Sequence, residues 1–219
     1  MKRIFTFLIL FIAISITAQI KTFGVPFSIK NEVNSRVPTI EIAPPKKENI
    51  NEALQQKNIA SLLINTNIDF IKQAQLTILK NGDRVYRLSI RSKNAEAINI
   101  YYDAFEIPLG AKFYVYSSDK SQVLGAYTSL NNSKKNLFTH DYIKDDEIII
   151  EYNEPNNSKS ANINISQVGY FIRDLEKPLS SADCEVNINC SEGANWQDEK
   201  KGVVRLLIKV GSQTFWCSG

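Results

Sequence analysis

At 219 residues the chain can hold one or two domains, and its 43% hydrophobic content is that of a protein able to bury a core. The net charge is only +3, with Lys, Arg, Asp and Glu interspersed along the chain. A nucleic-acid partner needs a concentrated basic face, so the composition points away from one.

The chain opens with Met1-Lys2-Arg3 and then the apolar run "IFTFLILFIAISI", Ile4 to Ile16. Thr17-Ala18 and polar Gln19 follow. A positive start, an apolar centre and a small residue at the boundary make up the order of a secretory signal peptide. Residues 1–18 are therefore read as a signal cleaved after Ala18. The run is short for a membrane span, and an uncleaved anchor is the weaker alternative. With no cysteine near the boundary, a lipoprotein anchor does not fit. The expectation is an exported protein, secreted or periplasmic, with no membrane association after signal cleavage.

Residues 19–70 form an N-terminal segment in which Pro38, Pro44 and Pro45 interrupt regular structure. "NINEALQQKNIASLL" has helical spacing at Ile50, Leu54, Ile59, Leu62 and Leu63, with Asn49 or Asn51 as the N-cap. One short helix is expected there. From Gln75 the period changes to two. Asn81-Gly82-Asp83 supplies a hairpin turn. Strand-like runs follow at "AINIYYDAFEI", "AKFYVYSS", "QVLGAYTS", "EIIIEYNEP" and "ANINISQVGYFIRD", separated by turn-rich gaps. Such spacing predicts an antiparallel β-sandwich over residues 71–173. The charged, Pro178-containing stretch 174–183 reads as a linker. In the last part, 184–219, "GVVRLLIKVGSQTFWC" reads as two strands around Gly211-Ser212-Gln213. Leu206, Ile208 and Val210 should face one way, and Arg205, Leu207 and Lys209 the other.

Little catalytic chemistry is visible. The single histidine, His140, has Asp141, Asp145 and Asp146 nearby. One histidine without cysteine neighbours makes a weak metal site, and a surface turn is the favoured reading. Asp145, Asp146 and Glu147 read as a solvated turn rather than an acid–base pair. Tyr101, Tyr102, Phe113, Tyr114 and Tyr116 could form a carbohydrate platform, but aromatic residues in strands more often pack in a core. No metal or cofactor is expected.

The three cysteines, Cys184, Cys190 and Cys217, lie in the last part. Export makes disulfides possible, and an odd count leaves at least one thiol to find a partner elsewhere. "CEVNINC" alternates like a strand. If it is extended, Cys184 and Cys190 stand about 20 Å apart. A disulfide needs Cα atoms within about 7 Å, so these two should not pair with each other. Missing partners suggest that the chain continues beyond Gly219.

"SADCEVNINCSEGANWQDEKKGVVRLLIKVGSQTFWCSG" resembles the start of the mature enzyme in bacterial lysyl endopeptidases and their trypsin-like relatives. The matching positions are Cys184, Cys190, Ser191, Glu192 and Gly193, then Lys201 to Leu207, then Cys217-Ser218-Gly219. "RVYRLSIRSKNAEAINIYYDAFEIPLGAKFYVYSSDKSQVLGAYT" is similar to the pro-domain pattern of such exported proteases, with Tyr86 where tryptophan is usual. The resemblance implies a precursor: a pro-domain acting in cis on a chymotrypsin-like β-barrel, truncated here after its first strands. It implies peptide substrates, cut after Lys or Arg. It also implies that Cys217 pairs with a cysteine beside the catalytic histidine, and that Cys184 and Cys190 pair with cysteines deeper in the enzyme. All three triad residues would then lie beyond Gly219, so no catalytic residue is assigned within the chain, which alone should be inactive. Trp216 is a candidate for lining the cleft, packing being the other reading. Arg173 and Lys177 are candidate processing sites, although Pro178 disfavours cleavage after Lys177. The competing reading is an exported, non-enzymatic β-sandwich that serves binding or adhesion.

Overall fold

A computed structural model describes residues 22, 24–33, 35–173, 191–202 and 204–218. In chain order the elements are α1 (Phe27–Lys30), β1 (Thr39–Glu41), α2 (Lys47–Leu54), β2 (Ile59–Asp69), α3 (Phe70–Gln73), β3 (Gln75–Ile78), β4 (Arg84–Arg91) and β5 (Ile98–Glu106). There follow β6 (Lys112–Ser117), β7 (Val123–Tyr127), β8 (Phe138–Thr139), β9 (Glu147–Glu154), β10 (Asn162–Phe171), β11 (Arg205–Val210) and β12 (Gln213–Ser218). The protein is mostly β, and its sheets are almost wholly antiparallel; β1 beside β4 is the parallel pair.

One sheet has the order β1-β4-β9-β6-β7, with β3 also on β4. The other runs β11-β12-β2-β10-β5-β8. Leu88, Ile90, Phe113, Val115, Ile148, Ile150 and Tyr152 of the first sheet share one core with residues of the second. Ile59, Leu62, Ile100, Tyr102, Phe105, Ile163, Ile165 and Val168 form the opposite wall. Each set recurs every second residue along most of its strand, which is the condition for covering one face of a sheet. Phe113 meets Phe105 edge to face at 5.2 Å and Tyr102 at 5.7 Å, joining the two layers.

The predicted hairpin is present between β3 and β4. Gly82 has φ +85°, and the Asp83 N–H donates to Asn81 Oδ1 at 3.2 Å. Only glycine takes that backbone conformation without strain. The expected helix is found but stops early. It spans Lys47–Leu54, is preceded by Lys46 rather than an asparagine cap, and gives way to β2 at Ile59. The apolar run from Ile59 to Ile64 belongs to a strand covered on both faces: Ile59, Leu62 and Ile64 pack in the shared core, and Ala60 packs in a separate cluster with Phe171 and Trp216. A strand covered on both faces loses its alternation, so its pattern resembles a buried helix.

The segment before β2 is not a free linker. It crosses the outer face of the first sheet. Thr22 and Ala126 exchange backbone hydrogen bonds of 3.2 and 2.9 Å. The Ser28 hydroxyl donates to buried Glu151, and Tyr116 OH donates to the same carboxylate at 3.2 Å. Arg87, opposite Glu151 in the register, donates to the Ser35 hydroxyl. A buried carboxylate is tolerated when donors surround it, and here the N-terminal segment supplies part of the shell.

Candidate functional site: the seam between the two-sheet body and the C-terminal hairpin

The site begins with a strand that has a free edge to offer. β2 uses one edge for β10 and presents the other to β12. The segment that receives attention from sequence, 204–218, folds as the hairpin β11–β12 with all six residue pairs in register, Arg205↔Ser218 to Val210↔Gln213. Gly211 at φ +58° opens the two-residue connection Gly211-Ser212, which suits the twist of the flanking strands.

β12 then joins β2 antiparallel, pairing Gln213↔Leu62, Thr214↔Ser61 and Phe215↔Ile59, with a bulge between Thr214 and Phe215. The Leu63 N–H donates to the Ser212 carbonyl at 2.8 Å, and the Trp216 N–H to that of Asn58 at 2.8 Å. Pairing sorts the hairpin side chains onto two faces. Phe215 points inward against the shared core. On the outer face Thr214 Oγ1 and Ser61 Oγ lie 2.6 Å apart, both residues fully buried.

Trp216 is the centre of the outer face. Its ring lies 6.1 Å from Phe171 and, edge to face, 5.9 Å from Tyr142. Beneath them are the small buried residues Ala60 and Ala97, with Leu207 alongside. The Arg205 guanidinium sits 4.2 Å from the centroid of the Trp216 ring and donates to Tyr142 OH at 2.8 Å. Lys209 lies 4.7 Å from the centroid of Tyr101 and donates to Gln167. Two cation–π contacts and one buried hydroxyl pair thus fix the side-chain register of the hairpin. The opposite face of β11 is bare: Leu206, Ile208 and Val210 are 42%, 43% and 60% exposed. The expected facing of the alternate residues is therefore observed.

The other sequence candidates are dispersed. Cys217 is exposed, opposite Leu206. Ala18, Lys177, Cys184 and Cys190 lie outside the described residues. Arg173 is anchored: its guanidinium donates to the carbonyls of Ala53, Leu54 and Gln56 at 3.3, 2.9 and 2.8 Å. These carbonyls cluster at the C-terminal end of α2, where a cation is favoured; those of Ala53 and Gln56 also accept the N–H groups of Gln56 and Ile59.

His140 is not on a surface turn. It is 6% exposed and its ring lies 6.0 Å from Tyr102. Phe138 stacks on Phe105 at 4.1 Å, and two residues later His140 follows it inward. The alternation Phe138, Thr139, His140, Asp141 was the signal for this burial. Nδ1 lies 2.6 Å from the Asp141 carbonyl, while Nε2 is buried with no partner. Burial lowers the imidazole pKa to about 4, against a smaller opposing pull from Asp141. Such a ring is a neutral core residue at ordinary pH.

The nearby carboxylates serve local structure. Asp145 accepts from the Ser118 N–H at 2.8 Å and hydroxyl at 2.6 Å, and Glu147 accepts from the Ser89 hydroxyl at 2.6 Å. Asp146 lies 3.7 Å from Arg91. Among the described residues no three His, Cys, Asp or Glu side chains converge on a metal position. Tyr102, Phe113, Tyr114 and Tyr116 are buried and present no platform, while Tyr101 is half-buried beneath Lys209. The receiving side of the seam, Asn58, Ser61, Tyr142 and Phe171, was not singled out from sequence. Ser61 within an apolar run was the available hint.

Neither a scan against models of protein families nor a comparison with curated proteins finds a match for this chain.

Proposed function

We propose that the chain is the N-terminal part of an exported serine endopeptidase precursor. In this reading residues 71–173 are a β-sandwich pro-domain, and residues 184–219 begin a chymotrypsin-like β-barrel. Peptides cut after Lys or Arg are the substrates of the whole enzyme, following the resemblance of its C-terminal stretch. The triad lies beyond Gly219, so the chain alone hydrolyses nothing. The supporting observation is the seam. The stretch that resembles the enzyme's first strands is seated as an extension of the body's sheet, through β12 on β2 and through Trp216 on Phe171 and Tyr142.

The role follows from that seating. A β-barrel is built from contacts distant in sequence, and it folds slowly. A preformed edge that already pairs with the first hairpin lowers the entropy cost of placing it. While β12 belongs to the body's sheet, the hairpin is also withheld from a finished barrel, so the same contact delays activity. The test is to refold the precursor, extended by the reading frame after Gly219, with and without residues 19–178. A large loss of recovered peptidase activity without them is expected. Equal yields and rates in both would remove the proposed role.

A further inference from the structure

We propose that a cleft between the N-terminal segment and the outer face of the first sheet binds a small amphiphilic carboxylate, a molecule with one anionic head and a compact apolar body. The cleft is separate from the hairpin seam. The proposal goes beyond the peptidase reading and stands or falls without it.

The physical case begins with the lining. The cleft has a volume of about 260 Å³. Sites for drug-sized ligands start at about 300 Å³, so its occupant is smaller than these. Val25 and Phe27 of the N-terminal segment form one apolar wall. Val85 of β4 and Tyr114 of β6 lie on the sheet side, and Leu79 and Pro155 come from the connections that follow β3 and β9. An apolar lining with a few polar groups is the usual make-up of a small-molecule site.

The polar groups ask for an anion. Lys30 and Lys112 both line the cleft, and neither makes an ion pair or a hydrogen bond among the described residues. The two carboxylates of the lining are committed elsewhere. Glu154 is buried against the Arg84 guanidinium, and Asp83 accepts from the Asn156 N–H at 2.8 Å and the Asn81 amide at 2.7 Å. Two positive charges are therefore left uncompensated. Tyr114 adds a third donor: it is 1% exposed, and its hydroxyl has no hydrogen-bond partner among the described residues. A buried hydroxyl without a partner is costly, and a carboxylate oxygen accepts from it as well as from an ammonium group.

An occupant of this cleft ties the N-terminal segment to the sheet. The segment runs so close there that a Cβ on Gly24 would strike the Tyr114 hydroxyl. Lifting it breaks the bonds from the Ser28 N–H to Glu151 and from the Ala126 N–H to the Thr22 carbonyl. A ligand that needs both walls opposes that opening by mass action.

The experiment titrates the full chain with octanoate. Octanamide serves as the apolar body without the charge, and inorganic phosphate as the charge without the body. Calorimetry reads affinity, and amide hydrogen exchange reads the N-terminal segment. Octanoate should bind at least about tenfold more tightly than either control. At ten times its Kd, exchange of the Ser28 and Ala126 N–H groups should slow about elevenfold. Lys30→Ala combined with Lys112→Ala should weaken octanoate at least about tenfold, and Tyr114→Phe about threefold. Both lysines are exposed, so the double variant should keep the natural midpoint of urea unfolding. No binding of octanoate at millimolar concentration overturns the proposal. So does octanamide or phosphate binding as tightly as octanoate, full binding in the double lysine variant, or unchanged exchange at Ser28 under saturation. No peptidase activity is read, so failure here is distinct from failure of the protease reading.

Discussion

Acidification should destabilise this protein through His140 in particular, over a defined pH window. The residue is 6% exposed, Nδ1 is committed to the Asp141 carbonyl, and Nε2 is buried with no partner. Adding a proton at Nε2 places a charge in a buried site, with the Tyr102 ring nearby, without a hydrogen-bond acceptor. Burial accordingly lowers the folded-state pKa from 6.5 to about 4. In the unfolded chain the ring titrates near 6.5, so between these values the unfolded state binds more protons than the folded one. Stability then rises with pH across the window. The contribution is complete above 6.5 and is lost as pH falls toward about 4. At 1.36 kcal/mol per pH unit the difference amounts to about 3 kcal/mol, an appreciable part of a small domain's stability. The assay is urea unfolding at intervals from pH 7.5 to pH 4, on the natural chain and on His140→Phe. Phe keeps an aromatic ring beside Tyr102 and cannot titrate. Carboxylates with lowered pKa, such as Asp69 and Asp119, act equally in both proteins and cancel in the difference. The natural chain should lose about 3 kcal/mol more than the variant between pH 7 and pH 4. Parallel curves for the two proteins would refute the reasoning, since the ring would then not be buried neutral.

Three further outcomes follow from single side chains. Brief trypsin digestion of the folded chain should leave the Arg173–Asp174 bond intact, because the guanidinium is held by three carbonyls at the end of α2 and Phe171 is fully buried; a fragment ending at Arg173, seen by mass spectrometry before unfolding, would contradict this. Glu151→Ala removes the acceptor of the Ser28 hydroxyl and of Tyr116 OH and should cost about 3 kcal/mol, with loss of hydrogen-exchange protection at Ser28 as the local signature. Gly82→Ala forces a side chain into φ +85° beside the Asn156 amide and should cost about 1–2 kcal/mol in urea unfolding, with no change at the seam.

How much was legible follows from the kind of signal each element carries. Strands with one apolar face, such as β4 and β9, announce themselves by alternation, as does the hairpin through Asn81-Gly82-Asp83. β2 did not, because it is apolar on consecutive residues and merges with the helical spacing of α2. The candidate site was legible on its hairpin side only. Trp216, Arg205 and Lys209 stand out in a short segment, whereas Ser61, Tyr142 and Phe171 come from three separate stretches. Nothing local tells Ser61 that it will meet Thr214, 153 residues away.

The sequence by itself determined the β class, the turn at Gly82, the early helix and the two faces of the last hairpin, since each depends on neighbours within a few residues. Tertiary structure alone decided that Arg173 closes the end of α2 and that β12 takes the second edge of β2, and it decided the burial of His140 that alternation with Phe138 only hinted at. Those outcomes depend on which surfaces and unpaired backbone groups come together across the chain. A hydrogen-bonding edge is satisfied by whichever strand reaches it with a fitting side-chain register, and that match exists only once both sheets have formed.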